Sequence, residues 1–358
     1  MLHDIIFLIM GIALLTLGGN FVTDGAVAIA KKLNVSSMMI GLTVVAFGSS
    51  MPDLVVCLTS TLSGKTQMAL GDVVGSNIFD ILLVFGIMAL IRPLKMDHDT
   101  LYHDLPMLAF SSLALFICGD DILFDGAPAD TVNRTDGLMF LALLVIFEAY
   151  NIQNANRQKA AMLACPPQSA TASTGSVVPS VVSVVPSVGV KIGKVNAKSG
   201  QTDKPLKPWL SWVYVVGGLA ALVVGGNWVV SGASGIALKA GLSEATVGLT
   251  VVALGSSSPD LASSLAALFK GKAGLAIGNI VGACILNVFG LIGICATVSP
   301  LQSGTISLVD YSTLAGGSLL LWLMTLLNRS HTLTRLAGAL LVVAYIAYMT
   351  YLVLSSLH

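Results

Sequence analysis

The sequence predicts an all-α membrane protein: ten transmembrane helices in two inverted five-helix repeats, with broken helices at the midplane. Three observations lead there. Only 10% of the 358 residues are Asp, Glu, Lys or Arg, 55% are hydrophobic and mean hydropathy is +0.88, whereas soluble domains run near a quarter charged. Apolar runs of about 20 residues, the length that crosses a bilayer, recur along the chain. Motifs in the first half also return in the second at a constant offset of 207 residues. With 36 glycines and 6% aromatics, the composition suits closely packed helices with small residues at their contacts and argues against a soluble enzyme. Eighteen basic side chains balance 18 acidic ones, so no basic excess points to nucleic acid.

In chain order, the spans are expected near 4–28, 37–61, 68–91, 101–118 and 136–153, then near 208–237, 245–269, 273–299, 308–327 and 334–356. The first run has no Lys or Arg before it and no small-residue cleavage site, so it reads as a spanning helix rather than a signal peptide. Residues 156–207 are rich in Ser, Val, Pro, Ala and Lys, with recurring prolines and no amphipathic period. They are expected to be a flexible linker between a first repeat at 1–155 and a second at 208–358. Cysteines at 57, 118, 165, 284 and 295 form no CxxC or Cys/His cluster, which argues against a disulfide or zinc framework.

The repeat is specific. GLTVVAFGSSMPD at 41–53 returns as GLTVVALGSSSPD at 248–260, identical at 11 of 13 positions. GGN at 18–20 meets GGN at 225–227, and GDVVG at 71–75 meets GNIVG at 278–282, all in the same register. Five spans per copy is an odd number, so the second copy enters the membrane from the opposite side, as in many secondary transporters. An outside N-terminus places fifteen Lys and Arg inside and leaves Lys65, Arg134 and Lys239 outside, which the positive-inside rule favours. Both termini then lie outside, and the linker is cytoplasmic.

Ionisable groups in mid-span cost about 2.5–3.5 kcal/mol on insertion scales and need a partner or a purpose. Asp53 and Asp260 occupy equivalent places, each after a proline and four residues after Ser49 or Ser256, a spacing that puts hydroxyl and carboxylate on one helix face. Pro52 and Pro259 each remove a hydrogen bond to the carbonyl four residues earlier, which offers the Gly48 and Gly255 oxygens. Twenty-seven residues after each Asp come Asp80 and Asn287, with Ser76 four residues before the former and Ala283 before the latter. Oxygen-only clusters of this kind suit hard cations such as Ca2+ and Na+. Three mid-span acids with no mid-span Lys or Arg require a bound cation or protonation. Asp72, whose counterpart is Asn279, reads as a helix-start group, and Glu148 and Asp24 as snorkelling side chains near span ends. His98, Asp99, His103 and Asp104 read as a solvated interfacial turn rather than a metal site.

These paired segments, 41–80 and 248–287, resemble the alpha repeats of the calcium/cation antiporter superfamily, and look most like its bacterial sodium/calcium exchanger branch, YrbG type. The resemblance covers both five-span halves and omits the linker. It implies antiport by alternating access at an inner membrane, with inward sodium driving calcium out; Ca2+ and Na+ are then cargo, and no cofactor is needed. It carries ligand roles onto Asp53 and Asp260, onto the side chains of Ser49, Ser76, Asp80, Ser256 and Asn287, and onto the carbonyls of Ala46 and Ala253. The chain departs from the family in three ways. The family usually carries Glu where Asp53 and Asp260 stand, the third acid lies in the first copy at Asp80, and Ala283 lacks a hydroxyl found in many relatives. Proton/calcium exchange on the same scaffold therefore stays open beside sodium coupling. An intramembrane aspartyl protease also needs two buried aspartates, but its second sits in GxGD, and residues 69–72 read ALGD.

Overall fold

A computed structural model describes residues 2–32, 50–125, 129–164, 208–241, 243–269, 271 and 273–355. They form helices α1 (Leu2–Lys32), α2 (Met51–Leu62), α3 (Thr66–Ile91), α4 (Thr100–Gly119) and α5 (Arg134–Ala164). After residue 207 come α6 (Pro208–Ala240), α7 (Glu244–Ser256), α8 (Ser258–Phe269), α9 (273–298), α10 (Leu308–Leu327) and α11 (Arg335–Ser355). Among the described residues, seven helices are long and apolar enough to cross a membrane. Of the other expected spans, 37–61 is described only from residue 50, 245–269 is divided at Ser257 into α7 and α8, and 308–327 is the 20-residue helix α10. The expected start of the linker is corrected, because α5 continues to Ala164. Polar Gln153, Asn154 and Arg157 end the apolar run without ending the helix.

Glycine decides how α1 meets α6. Gly11, Gly18 and Gly25 recur every seven residues on α1, and Gly218, Gly225 and Gly232 do the same on α6. A Cβ on Gly11 would lie 2.9 Å from the Gly225 carbonyl, one on Gly18 2.9 Å from that of Gly218, and one on Gly25 2.8 Å from that of Ser211. The contacts run in opposite senses along the two chains, so α1 and α6 pack antiparallel with their backbones in near contact. Dispersion between close backbones is the force available where lipid is as apolar as leucine. Lys239 of α6 closes this seam on Asp4 of α1 at 2.5 Å.

The same exchange recurs elsewhere. Gly86 of α3 lies against Gly338 of α11, and Gly293 of α9 against Gly137 of α5. Two short antiparallel ribbons, which hydropathy did not foretell, follow the same rule. Strand β1 (Leu94–Lys95) pairs with β4 (Thr332–Leu333), and β2 (Thr131–Val132) pairs with β3 (Leu301–Gln302). Each ribbon takes one strand from before the linker and one from after it.

The middle of the molecule belongs to α3 and α9. The apolar stretches of both are 78% buried, against 17% for α5 and 28% for α1 and α11, whose large apolar side chains, such as Ile9, Val145 and Leu336, face outward as a lipid-exposed surface would. Both central helices loosen into a π-helical segment at matching places, Phe79–Val84 in α3 and Asn287–Ile292 in α9. Such wide turns inside α-helices are frequent at functional sites. Here they take in Asp80, the second residue of the α3 segment, and its counterpart Asn287, the first of the α9 segment.

Candidate cation site

Four helix segments converge on the π segments, and local sequence explains why. Asp53 and Asp260 are the third residues of α2 and α8, each behind a proline. Proline is at home in a first helical turn, where its missing N–H would have had no intrahelical partner. An acid there meets the positive end of the helix dipole. Helix α3 is pressed against α7 through glycines: a Cβ on Gly71 would come within 2.7 Å of the Ala245 carbonyl, and one on Gly75 within 2.5 Å of that of Leu249. That approach brings Asp72 and Ser76 on α3 up to Ser256 at the end of α7.

Ser256 is the hub on one side of the site. Its hydroxyl donates to Asp72 Oδ1 at 3.0 Å, lies 3.4 Å from Ser76 Oγ and 3.3 Å from the Ala253 carbonyl, and reaches the Asp53 carboxylate. Asn287 donates from Nδ2 to Asp53 Oδ2 at 3.3 Å and to Asn77 Oδ1 at 3.2 Å, and Asn77 is anchored on the Cys284 carbonyl at 3.1 Å. On the other side Asp80 and Asp260 sense one another's charge, and the Cys284 thiol points at Asp80 Oδ2 from 3.8 Å. Asp80 also feels Asp53, which joins the two sides into one constellation.

The structure therefore brings together Asp53, Asp80, Asp260, Asn287, Ser76, Ser256 and the Ala253 carbonyl. Ser49 and Ala46 lie outside the described residues. One spatial expectation is corrected: Ser256 engages Asp53 and Asp72, because the turn at Ser257 separates α7 from α8. The placing of Asp72 is also corrected. It is the seventh residue of the segment Thr66–Ile78, fully buried, and a charge neighbour of Asp53 rather than a group capping a helix start. Asn77, which links Asn287 to α9's backbone, was not foreseen, and its position beside Ser76 was the only signal. Ser50 and Ser257, the second serines of each GSS triplet, are buried with hydroxyls that find no partner. The repeated doublet was the clue to them. The His98–Asp104 stretch opens α4, with an exposed contact of 3.8 Å between His98 and Asp99. Among the described residues, no group of three or more His, Cys, Asp or Glu is gathered closely enough to hold a metal by those side chains alone, so a cation at the central cluster would draw on hydroxyl, amide and carbonyl oxygens as well.

Asp53 Oδ1, Asp72 Oδ2, Asp80 Oδ1 and Asn287 Oδ1 are buried oxygens without a hydrogen-bond donor. The sequences of α2, α3, α7, α8 and α9 contain no Lys or Arg. An interhelical hydrogen bond in a membrane returns about 0.6 kcal/mol on average, less than the about 2.5–3.5 kcal/mol a mid-span acid costs. Helix stapling thus does not account for four carboxylates. Oxygens that accept and never donate are the donor set of a hard cation.

A predominantly helical, membrane-spanning fold around buried carboxylates and hydroxyls defines an ion transporter rather than an enzyme. The chain belongs to the sodium/calcium exchanger protein family, whose model matches residues 3–153 and 210–354. It is 30% identical over 358 residues to CaxA of Alkalimonas amylolytica, covering 99% of this chain and 100% of that one. It is 28% identical to the inner membrane protein YrbG of Escherichia coli (96% and 95% covered) and 27% identical to the sodium/calcium exchanger MaX1 of Methanosarcina acetivorans (98% of each). Among solved structures, the sodium-calcium exchanger NCX_Mj soaked with Na+ and Sr2+ matches with a TM-score of 0.60 at 25% identity over 98% of each chain. Membership in a family of antiporters sets aside the protease alternative.

Proposed function

We propose that the protein exchanges Ca2+ for Na+ by alternating access around Asp53, Asp80 and Asp260, with Ser49, Ser76, Ser256, Asn287 and the carbonyls of Ala46 and Ala253 completing the cage. The observation that carries this reading is the set of buried acceptor oxygens without donors, in helices that contain no base. The names of MaX1 and NCX_Mj, both sodium-calcium exchangers, support the ion pair. In this reading the chain crosses the membrane ten times, α7 and α8 making one broken span, in two five-helix repeats of opposite orientation. The antiparallel α1–α6 seam and the ribbons that pair one half with the other support it, since an inverted repeat relates its halves by a two-fold axis in the membrane plane. The termini lie outside, and the expected linker 156–207, whose first residues continue α5 to Ala164, tethers the halves on the cytoplasmic side, a topology supported by the distribution of Lys and Arg.

Proton coupling is the second reading, and Ala283 is the residue that favours it, because sodium needs several neutral oxygens and one hydroxyl is missing there. Ser76, Ser256 and the free hydroxyls of Ser50 and Ser257 favour sodium. The test uses sodium-free vesicles loaded with calcium. Adding sodium to the opposite side should start calcium movement, whereas an imposed pH gradient alone should move little. The reverse result makes the protein a proton/calcium antiporter.

A further inference from the structure

Asp72 breaks the correspondence between the two halves. Its counterpart is Asn279, which is partly exposed and donates to Ser263 at 3.3 Å. Asp72 is fully buried on α3, accepts from Ser256 through Oδ1 at 3.0 Å, and keeps Oδ2 without a partner. Tethering Ser256 requires one acceptor oxygen, and an asparagine supplies that without a charge. The second, unpartnered oxygen, on a carboxylate held against the same hydroxyl that reaches Asp53, is left over by any tethering role. A hydroxyl that gives its proton to Asp72, which at 3.0 Å is nearer than the Ala253 carbonyl at 3.3 Å, presents lone pairs to whatever occupies the space between Ser256, Ser76 and Asp53.

We propose that Asp72 is a fourth acid of the cation site and a specificity-determining residue: it turns Ser256 into a pure acceptor and sets the preference for divalent over monovalent cations. This rests on the reading that Asp53 and Ser256 face the ion. The free energy of an ion in the field of one added charge scales with the ion's own charge. Removing that charge therefore weakens calcium by the square of the factor by which it weakens sodium. A threefold loss for sodium goes with about a tenfold loss for calcium.

The experiment is direct binding of Ca2+ and of Na+, measured separately by calorimetry on the purified full-length protein in lipid nanodiscs. Wild type, Asp72→Asn, Asp72→Glu and Asp53→Asn are compared. Asp72→Asn retains an oxygen for Ser256 and keeps the volume, so it isolates the charge; it should raise the calcium Kd about tenfold and the sodium Kd about threefold. Asp72→Glu should restore the divalent preference at least in part. Unchanged affinities in Asp72→Asn, or equal losses for both ions, would overturn the proposal and leave Asp72 a tether for Ser256. If Asp53→Asn also left calcium binding intact, the site assignment itself would fail, a result separable from the failure of Asp72 alone. Should Asp72→Asn not fold, Asn279→Asp supplies the second test. An acid outside the buried cluster should leave the calcium-to-sodium ratio near wild type, and a ratio that moved tenfold would show the preference to be a property of overall charge and overturn the assignment to Asp72.

Discussion

The surroundings of Asp53 and Asp260 differ although their sequences nearly coincide. Around Asp53 stand an amide donor from Asn287, the hydroxyl of Ser256 and the carboxylate of Asp72. Near Asp260 stands a carboxylate, Asp80, and its half of the chain has an alanine at 283 where the other half has Ser76. The sequence motifs repeat, and α3 and α9 carry π segments within one residue of the same register, while the chemistry does not repeat. On the proposed inverted repeat, two ligand positions stand opposite one another, and substitutions in either copy tune one side without disturbing the packing. On the proposed reading, the asymmetric residues tune ion choice and the symmetric ones supply binding itself.

The largest expected effect tests the symmetric pair. Asp53→Asn and Asp260→Asn should each cut calcium affinity by about 100-fold, about 2.7 kcal/mol, because an amide brings one acceptor and no charge to a hard cation. Transport into vesicles should fall to background while each variant still elutes as a folded species. If only one substitution were silent, the two sides would not share one ion, and the comparison above would break there.

Asn287→Asp comes next and probes the asymmetry directly. It removes the donor to Asp53 Oδ2 and to Asn77 and gives the second copy the acid that the first has at Asp80. Two carboxylates then face each other without the intervening N–H, which favours a divalent ion at that position. Calcium should compete with sodium about tenfold more strongly, with slower release as the accompanying cost. Competition curves that overlay wild type would mean that Asn287 does not face the ion.

Much of this was legible in the sequence, and the reasons are physical. Mid-span acids stand out because hydrocarbon penalises them, and a repeat at fixed offset stands out because register is a one-dimensional property. Asp72 was misread for the same reason that Asp53 was found: matching each residue with its counterpart discounts a position where the copies differ. The β1–β4 and β2–β3 ribbons were invisible, since two-residue strands have no period and their partners lie more than 150 residues away. The glycines spaced by seven on α1 and α6 were present to be read, but small residues signal close packing only once the neighbouring helix is known. The end of α5 was missed because hydropathy marks where lipid ends, and a helix in water continues until its backbone is capped or broken.

The smallest expected effect concerns Ala283, which has Ser76 as its counterpart and is almost fully buried on α9 next to Cys284. Ser76 lies within 3.4 Å of Ser256, whereas its counterpart Ala283 brings no hydroxyl to the other half. Ala283→Ser adds one hydroxyl to that side and no charge. A neutral oxygen stabilises a monovalent ion as part of a full shell, whereas calcium, held chiefly by carboxylates, gains proportionately less. The sodium concentration that half-activates calcium efflux should fall about two- to threefold, a few tenths of a kcal/mol in free energy, with the calcium Kd nearly unchanged. An added buried hydroxyl can also satisfy itself on the carbonyl four residues back in its own helix. In that case sodium activation would stay at the wild-type value, and the missing hydroxyl would have no bearing on the coupling ion. A fall in the calcium Kd without a change in sodium activation would instead place position 283 on the divalent ion, and the division between the two sides would have to be redrawn.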